Sequence, residues 1–187
     1  MLRKIVGNLR DRIQLSRNPV AYARRMGATV GRDCRLDLER HSLGSEPYLI
    51  EIGNHVTVTK GVRFVTHDGG VWVLRKKYPN IDVVGRITIL DNVFIGLGAT
   101  LLPGITVGPN AIIGAGSIVN RDVPSGTVVA GVPARHIKSL EEYESQAVRR
   151  AIHVRHLPRA DKREAFLAHT APRGRGPEVD APRIERR

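Results

Sequence analysis

Histidine and cysteine are the side chains of this sequence whose chemistry is most informative. The chain has seven histidines and a single cysteine, Cys34, which excludes an internal disulfide and a zinc site built from several cysteines. Histidine exchanges protons near neutral pH. His67 is followed by Asp68 and stands just before a segment that interrupts a sequence repeat. Inserts in repeats form loops on one face, often the binding face, so His67 is the first candidate for proton transfer.

The elements that must position His67 follow from a six-residue repeat. Aliphatic residues recur every six positions, and small or aliphatic residues stand four places after each of them. The leading residues are Val83, Ile89, Ile95, Leu101, Val107, Ile113 and Val119. The same period occurs upstream in another phase, led by Ile52, Val58 and Phe64, with a fainter start at Val30 and Leu36, where Cys34 takes the small position. The change of phase corresponds to an inserted segment, residues 70–82.

This period predicts a parallel β-helix over residues 28–138. Each short strand would place its leading aliphatic residue inward, and strands about 4.8 Å apart would stack these residues into continuous ladders. A thin aliphatic interior also fits an aromatic content of only 4%. An ordinary β-sandwich is disfavoured, because its strands alternate with a period of two.

Helices are predicted on both sides of the repeat. Within residues 1–27, the apolar residues Leu2, Ile5, Val6, Leu9 and Ile13 have helical spacing, and Pro19 and Gly27 would bound a second helix. The apolar stripe favours packing on the rest of the protein, and a basic amphipathic helix in peripheral contact with a membrane is the alternative. Residues 139–169 are predicted to be helical after an N-cap at Ser139, and residues 170–187 to be a disordered tail.

Charge and hydropathy narrow the classes of partner. The net charge of +12 is concentrated towards the ends of the chain, and basic residues are not interleaved with aromatics, so we expect no nucleic-acid binding. No run of 18 apolar residues occurs, and no apolar stretch of the signal-peptide kind follows the N-terminus. We therefore expect a cytoplasmic protein, with membrane association as an open alternative.

Two stretches resemble a known family. The repeat together with residues 112–140, IIGAGSIVNRDVPSGTVVAGVPARHIKSL, resembles the hexapeptide-repeat acyltransferases, whose fold is a left-handed parallel β-helix. Residues 44–80 resemble the sugar and polysaccharide O-acetyltransferase branch. The resemblance implies transfer of an acetyl group from acetyl-CoA to a hydroxyl of a free or lipid-linked sugar acceptor. It also implies a homotrimer with sites between subunits and no requirement for a metal.

The resemblance also implies roles for individual residues. His67 falls where the family carries its catalytic histidine, with Asp68 as a candidate to orient the imidazole. Candidate coenzyme A contacts are Phe94, Leu97 and Ala115 along the pantetheine arm, and Arg121, Arg135 and Lys138 at the nucleotide end. The insert, with Trp72, Arg75 and Tyr78, would cover the acceptor. Trp72 either stacks on a sugar ring or anchors the loop by burial.

Other functions on the same fold stay open at this stage. An N-acetyltransferase of a nucleotide-linked amino sugar is the first alternative, slightly favoured by the basic triplet at residues 75–77. A non-catalytic β-helix used for assembly is the second, from a different class. A zinc enzyme of the carbonic-anhydrase type would need a close pair of histidines in one chain. His55 and His67, twelve residues apart with no second histidine near either, do not provide one.

Overall fold

A computed structural model describes residues 13–171, in which the repeat forms thirteen short strands in three sheets. The first sheet contains β1 (Thr29–Val30), β3 (Ile50–Ile52), β6 (Ile87–Ile89) and β9 (Thr106–Val107). The second contains β2 (Arg35–Leu36), β4 (Thr57–Val58), β7 (Val93–Ile95), β10 (Ala111–Ile113), β12 (Thr127–Gly131) and β13 (Ala134–Ser139). The third contains β5 (Arg63–Phe64), β8 (Thr100–Leu101) and β11 (Ile118–Val119).

The strands are wound as a parallel β-helix. Along the chain each complete coil visits the first, second and third sheets in turn, as β6, β7 and β8 do. Neighbouring strands in each sheet are parallel, except for the antiparallel hairpin of β12 and β13. The predicted parallel β-helix of hexapeptide repeats is therefore the observed architecture.

Stacked aliphatic ladders form the interior, as the six-residue period predicts. Ile52 pairs with Ile89 and Ile89 with Val107, so their buried side chains form one ladder of the first sheet. The third sheet has an equivalent ladder of Phe64, Leu101 and Val119. Strand pairing thus aligns leading residues of the sequence repeat: Ile89 and Val107, for example, are three six-residue repeats apart.

Val83 does not belong to this ladder, so that part of the predicted repeat is wrong. Its side chain is 50% exposed. The first sheet resumes at Ile87, which pairs with Ile50. The Val83 carbonyl instead accepts a hydrogen bond from the Asp68 amide, 2.8 Å away. Val83 therefore closes the base of the insert, which occupies more residues than the phase change alone indicates.

Glycines form the corner between the second and third sheets, here called the glycine corner. Gly61, Gly98 and Gly116 have φ values of +75°, +67° and +68°, a conformation that glycine adopts without strain. The Gly98 amide donates to the Lys60 carbonyl at 3.0 Å, and the Gly116 amide to the Leu97 carbonyl at 2.7 Å. The residue before each glycine is therefore stacked on its counterpart in the next coil.

Helices flank the β-helix in the chain. Residues 13–17 are helical and are followed by α1 (Pro19–Arg25), whose Ala21 amide donates to the Asn18 side chain. The helix α2 (Leu140–Arg150) follows a reciprocal cap in which Ser139 and Glu142 each accept from the other's amide. Predicted features within residues 1–12 and 172–187 lie outside the described residues.

The chain divides into two compact units after Ala147, and the second unit contains α3 (Arg159–Thr170). This helix continues to Thr170, where the tail was predicted to begin. Among residues 13–171, no helix is long and apolar enough to cross a bilayer.

Candidate active site

His67 lies at the corner between the third and first sheets, three residues after β5. Its Nδ1 is 2.8 Å from Oε2 of Glu46. Because an ionised carboxylate only accepts hydrogen bonds, Nδ1 is the donor, and in a neutral imidazole Nε2 then holds the lone pair. The side chain is 43% exposed, and Nε2 has no hydrogen-bond partner in the described part of the chain. The imidazole is thus fixed at one nitrogen and open at the other, as a general base requires.

Glu46 is held in its charged form by two neighbours. The hydroxyl of buried Thr66 donates to Oε2 at 2.7 Å, on the same oxygen that His67 contacts. The Thr66 hydrogen bond, and then the His67 hydrogen bond, lower the pKa of Glu46 from its usual range. Glu46 therefore stays negative at neutral pH and stabilises positive charge on the imidazole.

The segment that presents Glu46 packs beside β5. The Phe64 amide donates to the Ser42 carbonyl at 2.7 Å, and the Ser42 hydroxyl accepts from the Glu39 amide at 3.0 Å. Gly44 has a φ of +64°, and a Cβ there would lie 2.8 Å from the Phe64 carbonyl oxygen. Only glycine permits this approach without displacement. The turn that follows brings Glu46 to His67.

Sequence reasoning did not identify Glu46 as the hydrogen-bond partner of His67, and it offered Asp68 in that position. The Asp68 carboxylate accepts from the Gly70 amide at 2.8 Å and caps a 3-10 helix, Gly69–Leu74. Adjacent residues in an extended chain point in different directions, so Asp68 does not orient the His67 imidazole. A usable signal was the irregular stretch between Leu36 and Ile52, because it interrupts the repeat as the insert at residues 70–82 does.

The insert presents its aromatic residues rather than burying them. Trp72 is 76% exposed, so burial of this side chain does not anchor the loop. An ion pair instead braces it, since Arg75 Nη2 lies 2.6 Å from Asp82 Oδ1. Tyr78 is 45% exposed, with the Lys77 ammonium 5.0 Å from its ring centre.

A cavity of about 480 Å³ opens in front of His67 and is called the His67 cavity below. Its lining includes Trp72, Tyr48 and Val71 as apolar surface. The charged lining residues besides His67 are Glu46, Asp68, Asp82 and Arg75. Negative charge therefore predominates in the cavity, because its one arginine, Arg75, forms an ion pair with Asp82.

Three residues predicted to contact the pantetheine arm of acetyl-CoA lie close together, on another part of the β-helix. Leu97 and Ala115 occupy successive levels of the glycine corner, and both are exposed. Phe94 is 44% exposed on the outer face of the second sheet, between Thr57 and Ile112 in register. The structure thus brings together Phe94, Leu97 and Ala115 on one surface, at a different corner from His67.

The predicted cationic contacts do not form one cluster. Arg121 follows β11 and so lies at the corner between the third and first sheets, which is also the corner of His67. Arg135 and Lys138 belong to β13. Arg135 Nη1 donates to the Ala134 carbonyl, and Lys138 Nζ donates to Gln146 Oε1 at 2.6 Å. Within residues 13–171, no group of His, Cys, Asp and Glu side chains could hold a metal ion.

Comparisons with known proteins agree with the repeat and the coil. The family model described as bacterial transferase hexapeptide (six repeats) matches residues 86–121. Protein CapG of Staphylococcus aureus is 52% identical over 145 residues, covering 77% of this chain and 84% of CapG. Galactoside O-acetyltransferase of Escherichia coli is 39% identical over 98 residues, covering 52% of this chain and 47% of that enzyme, so the match spans about half of its length.

A solved structure supports the same assignment. A hexapeptide-repeat containing acetyltransferase from Vibrio cholerae superposes with a TM-score of 0.55 and 25% identity. The superposition covers 74% of this chain and 90% of that protein. The chain therefore belongs to the hexapeptide-repeat acyltransferase family and is an acetyltransferase.

Proposed function

We propose that the protein transfers an acetyl group from acetyl-CoA to a hydroxyl of a sugar or polysaccharide precursor, with His67 as general base. The observation that carries the proposal is the His67–Glu46 pair, with Nδ1 held at 2.8 Å and Nε2 open to the His67 cavity. The similarity to galactoside O-acetyltransferase supports a hydroxyl acceptor.

The chemistry follows from this pair. The acceptor hydroxyl donates its proton to Nε2 as its oxygen attacks the thioester carbonyl of acetyl-CoA. Glu46 stabilises the imidazolium that forms, in the same way that a buried carboxylate supports a catalytic histidine. The tetrahedral intermediate collapses, the C–S bond breaks, and the imidazolium returns the proton to the departing thiolate. Transfer is direct, because the thiol of Cys34 is partly buried in another coil, 3.1 Å from the Gly53 carbonyl.

The proposed pantetheine contacts and His67 lie at different corners of the β-helix. This separation supports a homotrimer whose active sites are shared between subunits. Phe94, Leu97 and Ala115 would carry the pantetheine arm of one subunit's acetyl-CoA to His67 of its neighbour. Closed rings of identical heterologous contacts bring such unlike surfaces together. Arg121, Arg135 and Lys138 are the proposed contacts of the nucleotide end, and the coil is proposed to be left-handed.

The insert is the proposed acceptor loop. Trp72, with most of its surface exposed at the cavity, is available to stack on a sugar ring. Tyr78 lies on the same loop. The Arg75–Asp82 ion pair joins two parts of this loop and holds its shape. The acceptor sugar is free or lipid-linked. We propose that the reaction takes place in the cytoplasm, where a free thiol such as that of Cys34 persists.

The test is replacement of His67 by alanine. We expect kcat for thiol release from acetyl-CoA, with a panel of sugars and nucleotide sugars, to fall by about 10²- to 10⁴-fold. An exposed histidine of the second unit provides a matched control, and His153→Ala should keep wild-type turnover. Near-wild-type turnover of the correctly folded His67→Ala protein would contradict the assignment of the base.

Product chemistry separates the remaining alternatives. Hydroxylamine cleaves an acetyl ester but leaves an acetyl amide intact, so treatment of the product distinguishes O-transfer from N-transfer.

A further inference from the structure

We infer that a second groove, on the outer face of the second sheet, binds a phosphate group of one of the substrates. This groove has a volume of about 760 Å³ and is lined by residues of β2, β4, β7, the glycine corner and the N-terminal helical region. We call it the Arg35 groove. The inference rests on the proposed function, which places the pantetheine arm against Phe94 and Leu97 of this groove, and goes beyond it by assigning a role to the cations of the groove.

The floor of the Arg35 groove is apolar. Phe94 and Leu97, 44% and 60% exposed, both line it, together with Pro19 and Val20. Such exposed apolar side chains on a concave surface indicate ligand binding more strongly than the same residues scattered singly.

The rim of the groove carries cations that no protein group neutralises. Arg17, Arg35 and Lys60 line it, and all three are exposed. None of them takes part in an ion pair or a side-chain hydrogen bond in the described part of the chain. Asp37 is the one carboxylate among the lining residues. Positive charge therefore predominates, in contrast to the His67 cavity.

The strand register places these charges close to the apolar floor. Arg35 pairs with Thr57 and Thr57 pairs with Phe94, so Arg35 and Phe94 lie two strands apart on one face, about 10 Å between Cα positions. The Lys60 carbonyl accepts a hydrogen bond from the Gly98 amide, so Lys60 lies next to Leu97 and Gly98 in the glycine corner. Arg35 on β2 and Lys60 at the glycine corner thus line the same groove from different parts of the coil.

A phosphate group suits this arrangement better than other ligands. Three unpaired cations repel one another, and a group with more than one negative charge relieves that repulsion. Guanidinium groups bind phosphate oxygens through paired hydrogen bonds, and an ammonium adds a point charge. The apolar floor would accept the uncharged part of the same ligand.

Two substrates could supply the phosphate. Coenzyme A is one source, because Phe94 and Leu97 are also candidate contacts of its pantetheine arm. The polar ends of Arg135 and Lys138, proposed for the nucleotide end, already have protein partners, whereas Arg17, Arg35 and Lys60 do not. A glycosyl phosphate or diphosphate acceptor is the other source.

The first experiment measures phosphate binding without any turnover. Inorganic pyrophosphate is titrated calorimetrically into the full-length wild type and into the double variant Arg35→Gln/Lys60→Gln. We expect the affinity of the double variant to fall about tenfold or more, because charge-assisted hydrogen bonds are lost. We also expect the wild-type affinity to fall steeply with added salt. Arg155→Gln/Arg163→Gln, which removes two exposed cations from the second unit, should bind pyrophosphate as the wild type does.

The second experiment identifies the source of the phosphate. If acetyl-CoA supplies it, the double variant raises KM for acetyl-CoA but changes KM for 3′-dephospho-acetyl-CoA less. If the acceptor supplies it, KM rises for a sugar 1-phosphate and stays unchanged for the free sugar. Either result supports the inference. Unchanged pyrophosphate affinity overturns it, and so does weakened pyrophosphate binding with no change in any KM.

Failure of this inference can be told apart from failure of the proposed function. His67→Ala should abolish turnover and leave pyrophosphate affinity unchanged, because His67 does not line the Arg35 groove. If no sugar is acetylated by the wild type, the proposed function fails. The titration then judges the groove alone: weakened binding in the double variant supports it and unchanged binding overturns it. The single variant Lys60→Gln provides the same comparison should the double variant fail to fold.

Discussion

The His67 cavity and the Arg35 groove are two open surfaces of the same β-helix with opposite charge. Glu46, Asp68 and Asp82 line the His67 cavity, and the one arginine among its lining residues is paired with Asp82. In the Arg35 groove three cations are unpaired and Asp37 is the one acid. The carboxylate next to His67 is held by two hydrogen bonds, whereas the cations of the groove are held by none that the described residues supply.

This difference separates the surface proposed for proton transfer from the surface proposed for a charged ligand. A general base needs a fixed imidazole and a neighbour that favours its protonated form, which explains the preformed Glu46 network. The proposed anion binding needs charge that is not already neutralised, and the unpaired cations at the rim of the groove provide it. The pattern predicts that changes in one region alter kcat and changes in the other alter ligand affinity.

Glu46→Gln should have the largest effect of the following changes. Glutamine can still accept from Nδ1, but it does not carry the negative charge that stabilises an imidazolium. We expect kcat to fall by about 10- to 100-fold, as for a catalytic group that loses its alignment and support. Pyrophosphate affinity should not change. Steady-state kinetics and calorimetry on one preparation measure both.

The control for this change is Glu164→Gln, which removes an exposed carboxylate from α3 in the second unit. It should retain the wild-type kcat. If Glu46→Gln weakens pyrophosphate binding as much as it lowers kcat, the two regions are not independent and the comparison fails.

Asp68→Asn should have a smaller effect, on acceptor choice. Asparagine caps a helix as well as aspartate does, so the 3-10 helix should persist. Loss of one negative charge from the cavity should raise kcat/KM for a methyl glucuronoside, relative to the matching glucoside, by about two- to fivefold at low salt. Competition between the two sugars, with mass-spectrometric detection, measures the ratio. Asp161→Asn, which removes an exposed carboxylate from α3 in the second unit, is the control. If Asp68→Asn gives the same ratio as this control, the charge of the cavity does not select acceptors.

The sequence predicts the β-helix well because the period is a local property. Inward residues such as Ile89, Ile95 and Leu101 recur every six positions, and burial follows directly from strand register. The prediction fails at Val83 because a residue can keep the period by chance when the chain has left the coil. Register, unlike composition, is known only once the partner strand is fixed.

The site was less predictable because its partners are distant in sequence. His67 could be located, since it precedes an insert in a repeat. Glu46 could not be assigned to it, because their contact depends on the path of residues 39–46 beside β5 and on the positive φ of Gly44. The Arg35 groove likewise depends on three separate segments meeting on one face. Periodicity does not encode such meetings of irregular segments.

Thr66→Val tests the smallest effect, the hydrogen bond that keeps Glu46 charged. In the folded protein the pKa of Glu46 lies below its usual range, chiefly because of Thr66. A lowered folded-state pKa stabilises the protein at pH values above the unfolded pKa, about 4.3 for glutamate, and this stability is lost as the pH falls through the folded value. Valine removes the main cause, so the folded and unfolded values should converge.

Wild type and Thr66→Val should therefore differ by about 1 kcal/mol in unfolding free energy at pH 7, and the difference should shrink as the pH falls below the usual glutamate range. Urea unfolding at one protein concentration and several pH values measures it. Thr59→Val is the matched control, because the Thr59 hydroxyl donates to the Ile95 carbonyl at 2.7 Å and no carboxylate is involved. Its cost should not depend on pH. If the Thr66→Val difference is equally independent of pH, the Thr66 hydroxyl contributes only packing and a neutral hydrogen bond, and the charge of Glu46 is maintained by His67 alone.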